Sequence, residues 1–175
     1  ANWRGEAEVF AKAAVDAAKG ARLVEGPVEI DYARRDIRVP RRDPVSQSDD
    51  AISRLGWRSK SFEAAQEGAR RWPEMLETSV SAARIGPLGI ASNPGELFVE
   101  WGIDIKKRSP IQHTIICELT NDSVGYEPTR RAFENGGYEA LVGVNFVNLE
   151  GIQSMVDTAV ELLEQVAITR DRHQQ

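Results

Sequence analysis

The sequence predicts an α/β fold: a layered mixed sheet with flanking helices, in one domain spanning residues 1–175. Three observations predict it. A continuous apolar stripe at helical spacing runs along residues 149–169. Residues 113–119 are nearly all apolar and β-branched, the composition of a central strand buried on both faces. Shorter alternating runs precede them, punctuated by glycine and proline. A chain of this size buries about 70% of its unfolded surface, so it needs neither metal nor disulfide merely to fold.

The elements follow in order. Trp3, Ala7, Phe10, Ala14 and Ala18 share one helical stripe, which places a helix over 2–19 with Gly20 as its stop. Residues 28–32 alternate as a strand does, and 37–39 continue or pair with it until Pro40, which has no N–H to give to a ladder. Residues 41–58 read as a polar loop with one helical turn. Helix signals resume at Ser61 and end near Trp72, where Pro73 breaks them and Pro73-Glu74-Met75-Leu76-Glu77 opens another turn. Residues 79–86 and 88–91 form two short strands around Gly86-Pro87. Asn93-Pro94-Gly95-Glu96 has the residues of a helix start, with Asn as N-cap and Glu third as in a capping box, leading a helix to about Lys107. Residues 121–137 form a loop with a short helix around 129–134, Gly136-Gly137 turns the chain, and 139–147 adds a strand.

Composition excludes several classes. A net charge of −5 argues against a nucleic-acid binder. No apolar run approaches the roughly 18 residues of a membrane span. One cysteine, Cys117, permits no internal disulfide, and its mid-strand position makes it a buried, inert thiol. The glycines Gly86, Gly89 and Gly95 are followed by no Gly-Lys-Ser/Thr, so they make no phosphate loop. Arg34, Arg35, Arg38, Arg41 and Arg42 interleave with Asp36 and Asp43 and read as a solvated strand edge, where charge blocks edge pairing. Only two histidines are present, His113 and His173, so the chain alone cannot supply an ordinary zinc site, and no Ser-His-Asp or Cys-His set can be drawn.

Polar and aromatic residues gather at element ends from Asn93 to Ala140, where sites in α/β proteins commonly lie. Pro94-Gly95-Glu96, Leu119-Thr120-Asn121, Gly125-Tyr126, Thr129 and Tyr138-Glu139 stand in that order, with the two tyrosines twelve residues apart. This ordered set resembles the neutral/alkaline, non-lysosomal ceramidases, well over 93–139 and loosely over most of the chain.

The resemblance implies the C-terminal part of a larger catalytic region and a zinc-dependent hydrolase of an N-acyl linkage, with ceramide-like lipid amides of sphingolipid metabolism as the nearest substrate class. It assigns Glu96 and Tyr126 to the metal and Tyr138 to the scissile carbonyl. The remaining zinc ligands would be histidines of the N-terminal part of the same protein, absent from this chain. Zinc polarises a carbonyl and acidifies water, and a phenol donates a hydrogen bond to a developing oxyanion. A lipid substrate implies contact with a membrane surface, and the family resemblance implies a secreted or periplasmic setting. Ser123, Arg131-Ala132-Phe133 and Glu100-Trp101-Gly102 depart from the family pattern around these positions. Two other functions stay open: a non-catalytic interaction domain that keeps the fold, and a hydrolase of a non-lipid amide or ester.

Overall fold

The computed structural model describes residues 2–23, 25–43 and 59–172. Helix α1, Trp3–Gly20, is capped by Asn2, whose side chain accepts from the Gly5 amide. Strand β1, Ile30–Pro40, is one unbroken element rather than two. Helix α2 is Ser59–Arg70. Strand β2, Met75–Ile85, begins where a further helical turn was expected. Its full-length antiparallel pairing with β1, from Ile30↔Ile85 to Pro40↔Met75, outweighs the local signal of Pro73. Strand β3, Leu88–Ser92, returns through the Gly86-Pro87 turn. Then come β4, Glu96–Leu97; α3, Val99–Arg108; β5, His113–Cys117; and β6, Tyr126–Glu127. Helix α4, Arg130–Asn135, a single 3-10 turn at Tyr138–Ala140, and the long helix α5, Leu149–Arg172, complete the chain. The polar loop expected over 41–58 falls mostly outside the described residues, as does His173.

The main sheet has the order β1-β2-β3-β5, antiparallel except for the last pair. The parallel β3–β5 pair needs a crossover, and α3 supplies it. Helix α5 lies across one face of β1, β2 and β3. Its predicted stripe is the floor of the core: Ile152, Met155, Val156, Ala159, Val160, Leu163 and Val166 are buried against Val39, Leu76, Val80, Ala82 and Ala91. Arg84 ties the two layers together, donating to the carbonyl of Val166 in α5 and pairing with Glu29 at 3.0 Å and Asp31 at 2.5 Å.

Among the described residues, the β1–β2 turn end of the other face is largely uncovered. In register across it lie Tyr32, Ala83, Ile90 and Ile115, and beside them Ile30, Ile85, Leu88 and His113. Tyr32 is 63% exposed and Ile115 44%. Strand β5, expected at the centre of the sheet, stands at its end, with Ile115 on this open face and Ile116 packed against the core. Cys117 is exposed for the same reason, not buried as its composition suggested. Helix α1 buries none of its residues, and Trp3 and Phe10 are in solvent. The arginine run is divided: Arg34 and Arg38 lie on the open face of β1, Arg35 reaches across the other face to Glu161 of α5, and Arg41 and Arg42 turn inward.

Candidate functional site

Asn93-Pro94-Gly95-Glu96 does not start a helix. Asn93 is fully buried, and its Oδ1 accepts from the Gly95 amide at 2.7 Å, which closes a tight turn instead of capping a helix. Helix α3 begins three residues later, at Val99. The segment is diverted by a parallel bridge with β6 that pairs Glu96 with Tyr126 and Leu97 with Glu127. Two glycines let these backbones meet. A Cβ on Gly95 would lie 2.2 Å from Glu127 Oε1, and one on Gly125, whose φ is +76°, would lie 2.2 Å from the Val144 carbonyl. The chain after β5 is folded back onto the same turn: the Leu119 amide donates to the Gly95 carbonyl and the Thr120 amide to that of Asn93. Leu119 and Asn121 both take left-handed φ, +49° and +68°, to allow this reversal.

The bridge puts Glu96 and Tyr126 on one side of the ribbon. Their side chains face one another, the Tyr126 phenol toward the Glu96 carboxylate. The pull of that carboxylate on the phenol proton, followed by desolvation, pushes Tyr126 up to about 12. Tyr138 completes the group. Its ring meets the Tyr126 ring edge-on, with centroids 5.9 Å apart and planes at 74°. It stands at the head of the 3-10 turn, so the expected strand over 139–147 is replaced by this turn and by isolated bridges such as Gly125↔Asn145. The three residues singled out by sequence, Glu96, Tyr126 and Tyr138, therefore share one place. His113 lies on the open sheet face and belongs to another region.

Alternation places Glu127 on the opposite side of β6, facing inward, and it is fully buried. The Asn93 side chain and the Gly95 amide lean toward its carboxyl and favour the charged form. Neither completes a bond of good geometry, and both carboxyl oxygens and Asn93 Nδ2 lack a partner. Burial dominates and pushes Glu127 up to about 8. Folding thus favours the protonated acid. Its contribution to stability is full below the unfolded carboxyl value near 4.3 and is lost as pH rises through about 8. Glu127→Gln, which mimics the neutral acid, is expected to remove this decline, worth on the order of a few kcal/mol. Denaturant midpoints at pH 5 and pH 9 measure it; an equal decline in the variant would mean that Glu127 is not its source.

Glu96 and Tyr126 present two oxygen donors side by side, an arrangement that a cation can bridge. Two protein ligands make half of a zinc shell. Among the described residues no group of three or more His, Cys, Asp or Glu side chains is placed to hold a metal ion. A groove of about 770 Å³ lies elsewhere, between β1 and α5, lined by Arg35, Ile37, Trp101 and Asp157 among others. Volume does not locate the Glu96–Tyr126–Tyr138 group; the register of β4 and β6 does.

Comparison with solved structures finds the same architecture. A ceramidase complexed with C2 superposes with a TM-score of 0.56 at 18% identity, over 93% of this chain and 33% of that one. The fold is shared with ceramidases. The neutral ceramidase from Pseudomonas aeruginosa gives a TM-score of 0.52 at 21% identity, over 90% of this chain and 32% of its own. The chain thus spans about a third of the length of these ceramidases. No protein-family model and no curated sequence matches it.

Proposed function

We propose that this chain is the C-terminal portion of a ceramidase-like catalytic region and supplies half the site of a zinc-dependent hydrolase of N-acyl amides. The single observation that carries the reading is the register pair that sets Glu96 beside Tyr126, with Tyr138 packed on the edge of the Tyr126 ring, on a ceramidase fold. Zinc held by Glu96, Tyr126 and histidines from outside this chain would polarise the acyl carbonyl. Glu96 contributes negative charge to that shell. Tyr126 beside Glu96 is neutral at physiological pH, so binding the metal would exchange the phenol proton for the cation. Tyr138 is the donor for the oxygen on which charge develops as the amide is attacked.

The uncovered end of the sheet face supports the fragment half of the reading. Two rows of apolar side chains there match the inner surface of a layer that another part of a domain covers. Ceramide-like lipid amides are the substrate class the likeness favours. The test is hydrolysis of an N-acylsphingosine by the whole protein carrying this chain, with and without a zinc chelator, and with the isolated chain as control. Turnover that disappears with the chelator, in the whole protein only, is the expected result. A zinc-loaded whole protein inert toward lipid and simple N-acyl amides alike would remove the catalytic reading in favour of an interaction domain that keeps the fold.

A further inference from the structure

Arg42 and Asn145 lie behind the two tyrosines and join the segments that carry them. Asn145 is buried, and its Nδ2 donates to the carbonyl of Tyr126 at 2.7 Å. Its Oδ1 accepts from Arg42 Nη1 at 3.2 Å. The same Nη1 donates to the carbonyl of Ala140, the last residue of the turn that Tyr138 opens. One continuous path therefore runs from the Tyr126 backbone through Asn145 and Arg42 to the Tyr138 turn.

Arg42 is itself fixed on two sides. Its backbone amide donates to the Phe146 carbonyl at 2.8 Å. Its guanidinium lies over the Phe133 ring at 4.7 Å, and Phe133 belongs to α4, the helix that precedes the turn. Burying a cation against neutral carbonyls is expensive unless its bonds are directional and charge-assisted, and a planar guanidinium meets that condition by reaching two acceptors at once.

We propose that Arg42 and Asn145 are positioning residues that set the edge-on contact of Tyr126 with Tyr138. Neither touches the reacting groups. Arg42 holds the turn, Asn145 holds β6, and the bond between them fixes the distance from one to the other. Their purpose in catalysis rests on the proposed function; the ring contact they set does not.

The chain has three tyrosines, which suits ring-labelled tyrosine NMR. The 5.9 Å contact predicts a cross-peak between the rings of Tyr126 and Tyr138, and exposed Tyr32 serves as the internal reference. In Arg42→Met, which keeps the stem and removes the Nη1 that makes both bonds, the cross-peak is expected to vanish while cooperative melting and the Tyr32 signals persist. Asn145→Asp keeps the acceptor for Arg42 and deletes the donor to Tyr126, so it too should lose the cross-peak. Should Arg42→Met fail to fold, Arg42→Lys decides, because its ammonium keeps the charge but stops about one bond short of the Nη1 position and has no planar group to lie over Phe133. A cross-peak of undiminished intensity in the folded variants would overturn the proposal. Its loss supports the positioning role even in a protein that hydrolyses no amide, so this result and the fate of the proposed function are read separately.

Discussion

Tyr138→Phe is expected to lower turnover of the whole protein about 100- to 1,000-fold, the range seen when one oxyanion donor is deleted, with zinc content unchanged. The substitution removes one hydroxyl and keeps the ring, so the edge contact with Tyr126 survives. Glu96→Gln and Tyr126→Phe should behave in the opposite way. Each removes a proposed oxygen ligand, and each should lower zinc occupancy by at least the roughly 10- to 100-fold in affinity that loss of a mere supporting contact costs. Metal analysis after dialysis, run beside kcat, separates the two classes. Loss of zinc in Tyr138→Phe, or full zinc in both Glu96→Gln and Tyr126→Phe, would reassign the residues.

Leu163→Ala should destabilise the chain by about 2–5 kcal/mol, a fall in Tm of roughly 5–15 °C. Leu163 is fully buried in the middle of α5 and shares one cluster with Val80, Ala82, Ala91 and Ile105. Those neighbours belong to β2, β3 and α3, and strands hydrogen-bonded on either side cannot collapse into the void. Cavity cost therefore adds to transfer cost. A change below about 0.5 kcal/mol in a denaturant titration would mean that α5 does not close the core.

Periodicity reads well wherever one element makes its own signal. The stripe of α5 is found residue by residue, because every second or third position is decided by a single large face. The same reasoning fails where a distant segment decides. Asn93-Pro94-Gly95-Glu96 has every local property of a helix start, yet pairing with residues 126–127 recruits it into a ribbon. Residues 113–117 look central because they are apolar, and they are apolar because they contribute to the open face as well as the core. The proposed site residues Glu96, Tyr126 and Tyr138 were legible as an ordered set; the residues that bring them together were not. Alternation in β6 does point Glu127 inward once Tyr126 is known to point outward, a signal that a two-residue strand is too short to announce. Arg42 was grouped with its neighbours in a charged edge, and only its contacts with Ala140, Asn145 and Phe133 set it apart.

The bridge between β4 and β6 makes the interval from Glu96 to Tyr126 a free variable. Their separation in space is fixed by one register pair, whatever the length of the excursion between them. Helix α3 and strand β5 anchor that excursion, and it can gain or lose members outside the stretch 117–125 that is bonded back onto the Asn93–Gly95 turn, because loop closure depends only weakly on length. An aligner that scores letters at set intervals loses such a constellation as soon as its loops drift; superposition of backbones does not. Two ceramidases recovered by shape at 18% and 21% identity, where no sequence profile responds, are what such an address system produces.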